Sequence, residues 1–148
     1  LMIDAAWRDA SGRPLRYAFR KTFRVGPADR TPPDPARWTL QLPAAGTRAP
    51  LVVSFDESMD FALASRLIAV AGQRDAALVG EIALTDRERR WSFTPAQPWQ
   101  AGAHRLVVAA TIEDLAGNNI GKVFDVDLFE GVDRQLATST AKRTFEIK

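Results

Sequence analysis

Residues 101–119 read AGAHRLVVAATIEDLAGNN, and no other stretch limits the possible folds as tightly. His104, Leu106, Val108, Ala110 and Ile112 occupy every second position, with Arg105, Val107, Ala109 and Thr111 between them. A period of two places these sets on opposite faces of a strand. The strand stops at 113–119. There the Asp114 side chain can accept from the backbone two residues on, and Gly117 or Asn118 can take the positive φ of a reversal. Residues 120–129 then read as a returning strand.

The same unit occurs twice. Residues 1–26 overlay 106–131 at an offset of 105 without a gap. Leu1/Leu106, Ala5/Ala110, Asp9/Asp114, Gly12/Gly117, Phe19/Phe124 and Gly26/Gly131 are identical, and both copies run strand, D-x-x-G turn, strand. Self-similarity at a constant offset marks arrays of modules. Residues 1–25 therefore read as the terminal hairpin of a preceding repeat. A second match sets 20–25 (RKTFRV) on 142–147 (KRTFEI) at an offset of 122, which is 17 more. An insertion within 125–140 of the second copy reconciles the two. The offsets compete for the final strand, and both segments read as extended.

After the hairpin, residues 26–36 hold four prolines in eleven positions, a semi-rigid linker. The complete module then spans 37–148. Trp38, Leu40 and Leu42 alternate with polar neighbours as its first strand, and Leu51, Val53 and Phe55 form the second. Residues 61–66 predict one helical turn capped by Asp60. A short strand at 67–71, a turn at 72–75, a strand at 78–84 with a bulge at Gly80, a turn at 86–89 and a strand at 90–94 follow. Seven or eight strands at this spacing predict an all-β, antiparallel sandwich.

The pI near 9.4 invites a nucleic-acid reading. Charge placement opposes it: residues 1–25 hold six basic and two acidic side chains, net +4, whereas 26–148 hold 14 basic and 16 acidic, net −2. No Lys/Arg cluster interleaved with aromatics occurs in the body. No apolar run approaches the roughly 20 residues of a membrane-spanning helix. Cys is absent, which removes thiol nucleophiles and cysteine-based zinc sites.

Four motifs now fall in order: Val52-Val53-Ser54-Phe55-Asp56-Glu57-Ser58-Met59-Asp60, Trp91-Ser92-Phe93-Thr94-Pro95, Ala101-Gly102, and Glu113-Asp114-Leu115-Ala116-Gly117-Asn118. Together they resemble the bacterial Ig-like domain family of surface-layer and large secreted proteins. His104 departs from that pattern, standing where the family usually has an aromatic such as Tyr, and 125–148 is longer than one last strand requires. The resemblance implies an immunoglobulin-like sandwich acting outside the cytoplasm as a spacer, stalk or adhesive module. Its implied partners are neighbouring repeats, another protein or a surface glycan, with no cofactor and no catalytic residues.

The candidate sites are few. His104 is the only histidine, and no G-x-S-x-G or comparable loop accompanies it, so a Ser/His/Asp hydrolase is not expected. Asp56, Glu57, Asp60, Asp114, Asp125 and Asp127 are the carboxylates expected to gather at one end if calcium binds, with Asp56, Asp60 and Asp114 foremost and the linker acids Asp29 and Asp34 able to join. Asp114, Gly117 and Asn118 form the structural turn. Trp38 and Trp91 fall in phase with inward residues, while Trp99, in a loop, is the candidate ligand contact for a sugar. The hairpin's apolar face, from Leu1 to Phe19, is expected to pack on the module or on a second chain.

Overall fold

The computed structural model describes residues 1–23, 26–73, 76–120 and 140–148. Nine strands and one helix appear among them: β1 (Met2–Ile3), β2 (Phe19–Arg20), β3 (Thr39–Gln41), β4 (Leu51–Ser54), α1 (Phe61–Leu67), β5 (Ile68–Ala71), β6 (Gly80–Thr85), β7 (Arg90–Pro95), β8 (Gly102–Ala109) and β9 (Thr140–Ile147). β1 and β2 pair with each other. The other seven form two antiparallel sheets, ordered β3-β4-β7-β6 and β5-β8-β9. Lettered A to G in chain order, these are sheets A-B-E-D and C-F-G. The chain is an immunoglobulin-like β-sandwich.

The inward face of each strand supplies the core. Leu51, Val53, Trp91 and Phe93 come from one sheet, and Ile68, Val70, Leu106, Val108, Phe145 and Ile147 from the other, all buried. Trp91 and Phe93 stack at 6.2 Å between ring centroids, Phe93 meets Trp99 edge-on at 5.9 Å, Trp99 meets His104 at 5.5 Å, and His104 stacks on Phe145 at 5.8 Å. This column of rings runs from one sheet to the other. Each such pair adds about 0.5–1.5 kcal/mol beyond the area it buries. Trp38, also buried, meets Phe55 edge-on at 4.6 Å.

Three local expectations are corrected. Gly80 opens β6 in regular register opposite Pro95, with no bulge. Glycine is required there because a Cβ would lie 2.4 Å from the Thr94 carbonyl oxygen and 2.6 Å from the Phe93 ring. The helix takes Leu67 from the expected strand and runs two turns, its start capped by Asp60, whose carboxylate accepts from Leu63 N at 2.8 Å. Leu42 lies beyond β3 and is exposed. The returning strand over 120–129, apart from Ile120, lies outside the described residues, as does half of the turn at 72–75.

The two copies of the strand–turn unit share their geometry as well as their letters. In the first, Asp9 N donates to Arg13 O at 2.9 Å, and Asp9 Oδ1 accepts from Ser11 N at 2.8 Å and Arg13 N at 3.0 Å. In the second, Asp114 N donates to Asn118 O at 3.1 Å, and Asp114 Oδ1 accepts from Ala116 N at 2.7 Å and Asn118 N at 2.9 Å. Gly12 and Gly117 take φ of 78° and 87°. The bridges Arg8↔Pro14 and Glu113↔Asn119 also coincide at the offset of 105. Beyond the turn the other offset applies: Met2 pairs with Arg20 as Val107 pairs with Lys142, and Ile3 with Phe19 as Val108 with Ala141. Both offsets hold, one on each side of the turn, and the 17 extra residues fall between them.

Asp86, Arg87 and Glu88, joining β6 to β7, have φ of 53°, 52° and 60°. Left-handed backbone costs a non-glycine residue roughly 1–2 kcal/mol. Arg87→Gly is therefore expected to raise the unfolding free energy by about 1 kcal/mol. Gly80→Ala should lower it by roughly 1–3 kcal/mol through overpacking. Urea denaturation of both variants checks the pair, and opposite signs are required.

Candidate functional site

Three segments converge on one end of the sandwich: the connection from β4 to α1, the 113–119 turn, and the linker. Asp60 N donates to Glu113 O at 2.9 Å, Leu115 N to Ser58 O at 3.3 Å, and Met59 bridges Asp114. Asn118, fully buried, donates from Nδ2 to Asp114 Oδ2 at 2.8 Å and to the Asp29 carbonyl at 3.3 Å. Further along the linker, Pro33 and Pro35 are buried. Arg143 of β9 donates to the carbonyls of Pro35, at 3.1 Å, and Trp38. The linker is thus part of the module's packed surface.

Around Asn118 the carboxylates of Asp29, Glu57 and Asp114 come together, with one oxygen of each within 4.8 Å of the others. Of the calcium candidates Asp114 and Glu57 are in this group, and Asp56 and Asp60 are not. Asp56 pairs with Arg37 at 3.3 Å and Asp60 is occupied as the helix cap. Asp34 accepts from Ala36 N. Asp125 and Asp127 lie outside the described residues. The linker acid Asp29 completes the group. Burial, reinforced by the charges of Asp114, Asp29 and Asp56, raises the Glu57 pKa from 4.5 to about 7. Burial likewise raises that of Glu113, with Asp60 and Asp114 adding to it. Three clustered carboxylates can be relieved by a proton or by a cation. A calcium ion would need six to eight oxygens, so backbone carbonyls or water would supply the rest.

The opposite end holds a groove of about 350 Å³ lined by Leu78, Pro95, Pro98, Gln100, Trp99 and His104, among others. Trp99 is not the exposed loop aromatic expected from its neighbours. It is 3% exposed, packs between Phe93 and His104, and donates from Nε1 to Ala49 O at 2.8 Å. It also lines the groove. His104 donates from Nδ1 to the Gly102 carbonyl at 2.9 Å. No hydroxyl or carboxylate among the described residues hydrogen-bonds either of its ring nitrogens.

With this geometry in view, the chain can be set beside known proteins. No family model and no curated protein sequence matches it. One solved structure that it resembles is the native conformation of alpha-2-macroglobulin from E. coli, by cryo-electron microscopy. The TM-score is 0.51 at 16% identity, over 79% of this chain. The chain spans 6% of that protein's length. At this identity the likeness is one of fold.

Two outcomes follow from the acidic end. Glu57 holds its proton more tightly folded than unfolded, so its contribution to stability is fully present below pH 4.5 and is lost as the pH rises through about 7. The melting temperature should fall over that interval, and Glu57→Gln should flatten the fall in a thermal-melt pH series. Asp114→Ala removes the acceptor for two backbone N–H groups and the Asn118 amide. It should cost about 3 kcal/mol in denaturant unfolding, as expected for breaking a buried, charge-assisted network.

Proposed function

We propose that this chain is a non-catalytic, structural or adhesive immunoglobulin-like module of a larger secreted or cell-surface bacterial protein, arrayed with similar repeats. The observation that carries this reading is the doubled strand–turn unit, whose hydrogen bonds and strand register coincide in both copies. Repetition of a self-contained sandwich builds length and spacing, and needs no reactive group. The packing supports the same reading. The histidine is held between two aromatic rings and a carbonyl, and the buried Asp114 is committed to its turn. The four-motif resemblance to bacterial Ig-like domains points to an extracytoplasmic setting.

A ligand-binding module, for calcium or a glycan, is the alternative. It is favoured by the Asp29–Glu57–Asp114 group and by the groove beside Trp99. Calorimetry with and without calcium, together with a glycan array, separates the two readings. The structural reading expects an unchanged melting temperature and no bound glycan. A rise of several degrees with calcium that is abolished by Glu57→Gln, or glycan binding lost in Gln100→Ala, would establish the alternative, because a ligand that binds only the folded state must stabilise it.

A further inference from the structure

The hairpin at residues 1–23 presents large apolar side chains to solvent. Leu1 is 65% exposed, Trp7 66% and Phe23 61%. A lone two-stranded hairpin is marginally stable in water, and such a face calls for a cover. The register of the two copies sets each of these residues against a counterpart in the module. Through the turn, Leu1 corresponds to Leu106, Ile3 to Val108 and Trp7 to Ile112; past it, Phe23 corresponds to Phe145. Leu106, Val108, Ile112 and Phe145 are all buried, at 0%, 1%, 0% and 7% exposure, in the interior facing the A-B-E-D sheet. The opposite face corresponds too: Arg20 takes the place of Lys142, which is exposed. At Leu1, Ile3, Trp7 and Phe23 the hairpin is therefore apolar where strands F and G are buried.

We infer that this face is the core-facing side of a second immunoglobulin-like sandwich, and that its occupant is the set of strands equivalent to β3–β7 lying before residue 1 in the parent chain. The inference rests on the array reading above and adds to it a specific interface: Leu1, Ile3, Trp7 and Phe23 enter the upstream core as its strands F and G. The occupant is a half-sandwich with an open apolar face. The hairpin does not pack against the outer surface of a finished module.

The test compares the chain of residues 1–148 with the same chain extended upstream by about a hundred residues, the size of one such unit. In the extended chain, the amides of Trp7, Gly12 and Leu15 should exchange about a thousandfold more slowly than in the 1–148 chain, reaching the protection of Ile112 and Gly117. Trp7→Ala should lower the melting of the upstream unit by several degrees and leave the transition of the module at 37–148 in place. Should the upstream unit fold as a β-sandwich while the hairpin amides stay unprotected, the inference fails and the array reading stands. An upstream segment with no β-structure would overturn both. Sedimentation showing that 1–148 dimerises with Trp7 shielded would assign the face to a second copy and overturn the inference alone.

Discussion

The carboxylate of Asp114 is the contact on which one whole end of the sandwich depends. It is buried, and it accepts from two backbone amides and from the side chain of Asn118. A buried carboxylate is tolerated only when its lone pairs are used in this way. Asn118 in turn reaches the linker at Asp29, and the backbone on either side of Asp114 is bonded to the segment between β4 and α1. The turn thus ties together three parts of the chain that are distant in sequence. The acidic character of that end follows from it. Its own burial first, and then the Asp114 carboxylate beside it, drive Glu57 towards its neutral form.

Packing across the sandwich joins aromatic rings to the aliphatic residues of both inward faces. The column from Trp91 to Phe145 crosses between the sheets, and Trp38 and Phe55 close one side. Among the described residues no acceptor meets the indole N–H groups of Trp38 and Trp91. That deficit of about 1–3 kcal/mol each is offset by the large apolar area the rings bury.

Much of this was legible in the sequence because period-two alternation and turn chemistry are local. The stretch around Leu106 identifies its inward face without outside information, and Asp114 with Gly117 identifies the reversal. Asp60 shows its role as helix cap in the same way. Trp99 was not legible. Between prolines and glutamines it reads as a surface residue, and only the meeting of β7, its following loop and β8 shows that it fills the core. The acidic group was legible in part: the linker acids could be expected to join the loop acids, and Asp29 does. That Glu57 enters the group while Asp56 and Asp60 do not depends on Arg37 and the helix start claiming the other two. Such competition among partners is set by tertiary contacts.

The strand register beyond the reversal has a consequence for how this scaffold can vary. Pairing of Val107 with Lys142 repeats that of Met2 with Arg20, although one connection is 17 residues longer. Side-chain alternation on the two strands, and not the distance along the chain, decides where they meet. Chain added between them costs little, about 0.6 kcal/mol for each doubling of a flexible loop. New sequence can therefore be grafted after the glycine at little cost to the pairing that holds the framework together.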